Sequence, residues 1–128
     1  MQMRKKLKMG MIGGGPGSFI GAIHRNAALL DGLIEITAGA FSSRPDKSLD
    51  TGKELMLDEN RVYASYDEMF EKELQLPKSE RIDIVSIVTP NHLHFEPAML
   101  ALTHGFHVLI DKPITLTLAE AKALKAKM

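Results

Sequence analysis

The strongest constraint on the fold is an alternation along the chain. Short apolar runs rich in Val, Ile and Phe are separated by stretches with helical periodicity. The runs are LKMGMI (7–12), LIEITAGAF (33–41), RIDIVSIV (81–88) and FHVLI (106–110), with RVYA (61–64) as a weaker fifth. They have strand length, and DIVSIV and HVLI do not alternate cleanly. That suits strands buried on both faces, as in a parallel sheet covered by helices.

The intervening segments carry helix signals. Residues 18–30 place Ile20, Ile23, Ala27 and Leu30 on one stripe. SSRPDKS (42–48) is a turn into a helix of about 46–57. Ser65 and Glu68, and again Thr117 and Glu120, have capping-box spacing. Pro97 is compatible with a helix over about 94–104 only if that helix starts at His94 or later, and Gly105 suits the position just past its end. The expected order is β-α repeated, which folds as an α/β protein with right-handed crossovers. The expected architecture is a three-layer, doubly wound parallel sheet of about five strands, within one domain over 1–128. Ligands of such sheets bind outside the carboxyl ends of the strands, near the point where strand order reverses.

Composition removes several classes of function. Sixteen basic and sixteen acidic residues give zero formal net charge, which disfavours general affinity for nucleic acid or anionic membranes. The sequence has no cysteine, so disulfides, thiolate metal sites and a cysteine nucleophile are excluded, and a cytoplasmic location is expected. No apolar run approaches a membrane span. The basic start, MQMRKKLKMGMIGGG, has an apolar part of only about six residues, short of a signal peptide's hydrophobic region.

The stretch MGMIGGGPGSFIGAIHR (9–25) holds six glycines at the carboxyl end of the first expected strand. The dinucleotide fingerprint is G-x-G-x-x-G between strand and helix. Gly13 and Gly15 supply its first two glycines, Ser18 stands where the third belongs, and Gly21 follows three residues late. The loop therefore reads as a fingerprint with Pro16-Gly17-Ser18 inserted. The first glycine permits a tight turn, the second admits a pyrophosphate, and the last lets helix pack on strand. A glycine-rich turn without a ligand fits the glycine count equally well. No Gly-Lys-Ser/Thr follows, so a P-loop is disfavoured, whereas a methyltransferase loop is compatible with the same fold.

At the end of the second strand an NAD site usually places a carboxylate for the ribose hydroxyls. Here the residues are Ser42, Ser43 and Arg44, with no acid before Asp46. Two hydroxyls and a guanidinium suit a 2′-phosphate, which leans the reading toward NADP over NAD. A solvated turn with a helix cap accounts for the same residues.

Residues 85–113, VSIVTPNHLHFEPAMLALTHGFHVLIDKP, carry two further motifs: Thr89-Pro90-Asn91 with His94, and Asp111-Lys112-Pro113. Together with Ile20-Gly21-Ala22-Ile23-His24 they resemble the glucose–fructose oxidoreductase, inositol dehydrogenase and rhizopine-catabolism family over about residues 7–125. The resemblance implies a Rossmann nucleotide domain of an NAD(P)-dependent oxidoreductase that transfers hydride to or from a sugar, inositol or related polyol. It implies cofactor contacts at Gly13, Gly15, Phe19 and Ile20, at Thr89, Pro90, Asn91 and His94, and at Asp111. Lys112 falls on the family's catalytic lysine, which orients the substrate hydroxyl or relays its proton, and the Lys112–Pro113 bond is expected to be cis. Asp111 departs from the family's usual glutamate, and the loop insertion changes the pyrophosphate contacts. The family's second α/β domain, which carries much of the substrate site and a catalytic histidine, has no counterpart in these residues.

His92 and His94 form an H-x-H pair without a third ligand at sensible spacing, so no metal site is expected. Two function classes follow. One is the nucleotide-binding part of a longer oxidoreductase, inactive alone and prone to self-association through surface its missing domain would cover. The other is a stand-alone dinucleotide-binding sensor or interaction module.

Overall fold

The computed structural model describes residues 5–128; the opening residues of the basic start, 1–4, lie outside them. The order is β1 (Leu7–Ile12), α1 (Phe19–Leu29), β2 (Ile34–Ala40), α2 (Pro45–Glu54), α3 (Tyr66–Gln75), β3 (Ile84–Ile87), α4 (Phe95–Thr103), β4 (His107–Ile110) and α5 (Leu118–Lys127). All strand pairs are parallel, and the sheet order is β2-β1-β3-β4. The chain runs outward one way from β1 to β2 and the other way from β3 to β4. The switch point therefore lies between β1 and β3.

Strand alternation sorts the core into two layers. Met9 and Met11 join Phe41 and Val88 on one side, where Ile20 and Ala28 of α1 pack. Ile12, Val85 and Ile87 face the other side, against Met69 and Phe70 of α3, Ala98 and Ala101 of α4, and Leu124 of α5. Phe70 stacks on Phe106 with ring centroids 5.5 Å apart. Met9 pairs with Ile36 but Gly10 with Ala38, so Thr37 is an extra residue, a β-bulge in β2.

Helix termini follow the expected chemistry. Ser18 caps α1 by accepting from Gly21 N at 3.1 Å. Thr117 and Glu120 form a full capping box on α5. Ser65 caps α3, but Glu68 returns its bond to Ala64 N rather than to the cap residue. Pro97 is the third residue of α4, where no N–H is required, and Gly105 follows the helix with φ +83°.

Two expectations are corrected. Among the described residues the sheet has four strands, not five: RVYA supplies only an isolated bridge from Val62 to Gly39. Its neighbours serve a different end. Glu73 is fully buried and accepts from Arg61 Nε at 2.6 Å, Arg61 Nη2 at 2.7 Å, Tyr63 Oη at 2.6 Å and Ile82 N at 3.0 Å. Satisfying that carboxylate draws the segment into a 3-10 turn (Glu59–Arg61) instead of a ladder. Burial, then the Glu73 hydrogen bond, raises the Tyr63 hydroxyl above its ordinary pKa. Burial works against the Arg61 charge, but the bond and charge of Glu73 leave that guanidinium raised as well.

Of the apolar stripe expected on α1, only Ile20 packs inward. Ile23 and Leu30 are 44% and 82% exposed, and Ala27 is exposed. The buried residue of this helix is Gly21. A Cβ at Gly21 would lie 2.5 Å from Gly14 Cα, so the glycine loop, not the apolar stripe, sets how the helix is rotated.

Candidate functional site

The loops leaving the strands enclose a cavity of about 730 Å3 at the switch point. Its walls are Ile12, Gly13, Gly14 and Ser18 after β1, Ala40 to Ser43 after β2, and Val88 to Pro90 with His92 and Leu93 after β3. Ala64 to Tyr66, Phe95 to Pro97 and Glu120 close the remaining side. A second hollow of about 500 Å3 adjoins it, sharing Ser18, Phe41 and Ser42, and is completed by Gly15, Pro16, Gly17 and Lys47.

The glycine loop is shaped by close approach. Gly13 has φ +85°, and a Cβ there would lie 2.9 Å from Thr89 N. No other residue type lets the first loop rest against the Thr89 segment. Ser18 N donates to Gly15 O at 3.0 Å, so the inserted Pro16-Gly17 forms a surface turn and α1 starts at Phe19. The first-turn N–H groups of Phe19 and Ile20 lack carbonyl partners within the helix and form the positive end of its dipole. From the other side, Arg25 Nη1 donates to Gly14 O at 3.0 Å.

The end of β2 is held by buried Ser48, which accepts from Phe41 N at 3.0 Å and donates to Tyr63 O at 3.1 Å. That anchor presents Ser42 and Ser43 to the cavity. Arg44 turns away: its guanidinium pairs with Asp46 at 3.2 Å, both side chains being well exposed. The basic group on the hollow is Lys47, in the first turn of α2, a residue sequence reasoning did not select. Its helical position gave no signal until α2 was oriented on the sheet.

Of the expected site residues, Gly13, Ser42, Ser43, Thr89 and Pro90 line the cavity, and Gly15 lines the adjoining hollow with Ser42. Phe19, Ile20, Arg44, Asn91, His94, Asp111 and Lys112 lie outside both linings. His94 is 1% exposed and points into the protein, facing Thr89 O and Pro113 O at 2.8 Å each. Asp111 faces His24 Nε2 at 3.4 Å. Lys112 is exposed, and its bond to Pro113 is cis. Among the described residues no three His, Asp or Glu side chains gather as metal ligands, and no helix is long and apolar enough to cross a membrane.

A parallel sheet with a glycine loop on a capped helix, beside a cavity at the switch point, defines a dinucleotide-binding α/β domain of the Rossmann type. Residues 7–128 match the family described as "Oxidoreductase family, NAD-binding Rossmann fold", and the chain belongs to this glucose–fructose oxidoreductase, inositol dehydrogenase and rhizopine-catabolism family. It is 40% identical to the uncharacterized oxidoreductase YfiI of Bacillus subtilis (strain 168), over 95% of this chain and 31% of that protein. It is 32% identical to the UDP-N-acetylglucosamine 3-dehydrogenase of Acidithiobacillus ferrooxidans, over 92% of this chain and 32% of the other. An inositol dehydrogenase homolog from Azotobacter vinelandii, solved with NADH and myo-inositol, superposes with a TM-score of 0.91. That match is 40% identical and covers 96% of this chain and 32% of the other. The chain thus spans about a third of the length of these relatives.

Proposed function

We propose that this chain binds a nicotinamide dinucleotide across the cavity, as the nucleotide-binding part of an enzyme that oxidises or reduces a hydroxyl-bearing carbon of a sugar, inositol or related polyol. The observation that carries the proposal is the cavity at the switch point, bounded by Gly13, by Ser42 and Ser43, and by Thr89 and Pro90. The residues suit such a ligand. The glycine loop admits backbone close to a pyrophosphate, and the N–H groups of Phe19 and Ile20 offer donors at the positive end of α1. Thr89, Pro90 and Asn91 stand toward the nicotinamide end. The cofactor supplies the hydride acceptor or donor. Lys112 donates a hydrogen bond to the substrate hydroxyl and steadies the charge that develops on its oxygen. The relatives' names support the substrate class: one is a UDP-N-acetylglucosamine 3-dehydrogenase, and another structure is solved with myo-inositol.

The hollow beside the cavity favours NADP. Lys47, Ser42 and the glycine turn surround it, and no carboxylate lines it. An ammonium with a nearby hydroxyl suits a 2′-phosphate, and a ribose diol would lack its usual acidic partner. The role first expected of Arg44 passes to Lys47. A cytoplasmic location and self-association belong to the same proposal. Cysteine-free composition suits a reducing compartment, and exposed Leu109, Ile114, Leu116 and Leu118 offer apolar contact surface.

Titration of NADPH and NADH against the chain, followed by cofactor fluorescence, tests the proposal. Binding of NADPH ahead of NADH is expected, and no binding of either at millimolar concentration overturns it. Lys47→Ala should lower the NADPH-over-NADH preference about tenfold, the effect of roughly 1.4 kcal/mol. Arg44→Ala should change it less than about twofold, as expected for an exposed pair. The reverse ranking would return the role to Arg44.

A further inference from the structure

Lys112 is exposed, yet the residues on both sides of it are gripped from the interior. On one side, Asp111 N extends the β4 ladder by donating to Ile87 O at 3.0 Å. The Asp111 carboxylate faces His24 Nε2 at 3.4 Å, and His24 Nδ1 faces Ser86 Oγ at 2.9 Å. A carboxylate only accepts, so Nε2 is the donor toward Asp111, and Nδ1 meets the Ser86 hydroxyl, which can serve as either partner. Three elements meet in this chain: β3 through Ser86, α1 through His24, and the segment after β4 through Asp111.

On the other side, His94 Nδ1 lies 2.8 Å from Pro113 O. The second nitrogen of that ring points at Thr89 O, also at 2.8 Å. His94 is therefore wedged between the loop after β3, which borders the cavity, and the loop that carries Lys112, with a ring nitrogen against a carbonyl of each. One histidine thus holds each neighbour of the lysine, and each ring is anchored in turn on β3 or on the loop that follows it.

The order Ser86, His24, Asp111 is that of a nucleophilic triad, but Ser86 is fully buried in the sheet and cannot reach a substrate. A mounting role uses the same contacts without that requirement. We propose that His24, with Asp111, and His94 are positioning residues that fix Lys112 over the reaction end of the cavity. The proposal rests on the reading of Lys112 given above. Neither histidine touches the reacting atoms; each acts by limiting where the Lys112 backbone can go. A long, flexible lysine side chain gains most from such restraint, because its stem adds freedom that the backbone cannot remove.

Competitive trace acetylation of the chain, read by mass spectrometry, gives the reactivity of Lys112 relative to Lys53 and Lys122 in the same molecule. Circular dichroism and NADPH binding are measured on the same samples. Three variants are compared with the wild type: His24→Asn, Asp111→Asn and His94→Gln. His24→Asn removes the tether while leaving the Asp111 charge in place, so it separates mounting from simple charge proximity. Each variant should change the relative rate of Lys112 by about threefold or more, the low end of coupling within one hydrogen-bonded network, with Lys53 and Lys122 unmoved. Asp111→Glu, which keeps the carboxylate, should return the rate toward the wild-type value.

An unchanged Lys112 rate in folded His24→Asn overturns the proposal for the Asp111 side. An unchanged rate in folded His94→Gln overturns it for the Pro113 side. A parallel change at all three lysines shows general loosening and overturns both. If buried His94→Gln fails to fold, the partly exposed pair of His24 and Asp111 still decides the mount. Absence of NADPH binding by the wild type defeats the cofactor proposal but leaves the labelling result readable.

Discussion

At the residue scale, the glycine loop shows what a spacing rule can and cannot specify. Gly13 and Gly15 stand in fingerprint register, and the insertion before Phe19 becomes a surface turn that Ser18 closes by capping α1. Gly21, three residues late in sequence, still packs on Gly14, so the late glycine meets the same packing demand as the usual third one. Gly13 combines a left-handed backbone with a rigid backbone neighbour, Thr89 N, 2.9 Å from where a Cβ would sit. Gly13→Ala should therefore lower stability by about 1–3 kcal/mol, measured by urea unfolding. It should also weaken NADPH binding, because the loop must move away from Thr89. Gly17→Ala is the control: Gly17 also has positive φ but nothing lies within 4 Å of its Cβ direction, so strain without displacement is expected. Equal binding losses in the two variants would show that loop contact with Thr89 has no part in holding the cofactor.

At the element scale, strands and helices were legible because their signals are local. Apolar runs and caps located all four strands and each helix to within a few residues. What escaped depended on partners distant in the chain. RVYA has strand composition, but the Arg61 and Tyr63 beside Val62 are committed to Glu73, ten or more residues away, in a network no periodicity reveals. The rotation of α1 depends on Gly14 and Gly21 meeting. His24 finds Ser86 and Asp111 across 62 and 87 residues, so only the motif resemblance singled it out. Lys47 was invisible for a similar reason. The Glu73 network carries its own prediction. The Tyr63 hydroxyl is raised above its unfolded value of 10.0, chiefly by burial and then by its bond to Glu73. A raised folded value means its contribution is complete below pH 10.0 and is lost as pH climbs through the folded value. Above pH 10.0 the unfolded chain releases this proton while the folded protein keeps it, so stability falls as pH rises. Urea unfolding between pH 9 and 11 should show that decline, with a shallower slope in Tyr63→Phe. An identical slope in the variant would assign the decline to other groups.

At the scale of the whole molecule, the order of strands is also the order of the site. Across the sheet β2-β1-β3-β4, the carboxyl ends present Ser42 with Ser43, the glycine loop, Thr89 with Pro90, and Asp111 with Lys112. Neighbouring strands stand about 4.8 Å apart, so this row of groups extends roughly 14 Å. On the function proposed above, an elongated ligand laid along the row would meet the hollow at Lys47 and Ser42 at one end and Lys112 at the other. On that proposal, binding is a property of the sheet rather than of one loop, because a full dinucleotide would tie together segments that close in separate crossovers. The consequence is measurable as linkage between ligand and fold. NADPH at about one hundred times its dissociation constant should add roughly 2.7 kcal/mol to stability, a rise of about 10 °C in Tm for a chain of this size. Adenosine 2′,5′-bisphosphate reaches only the ends of β2 and β1, so at the same concentration it should raise Tm by clearly less. Lys47→Ala should reduce the shift from this fragment more steeply than the shift from NADH, since the fragment depends on the hollow at Ser42. Equal shifts from the fragment and from NADPH at equal concentration would mean that the ends of β3 and β4 take no part in holding the cofactor, and the linear reading of the site would fail at Thr89 and beyond.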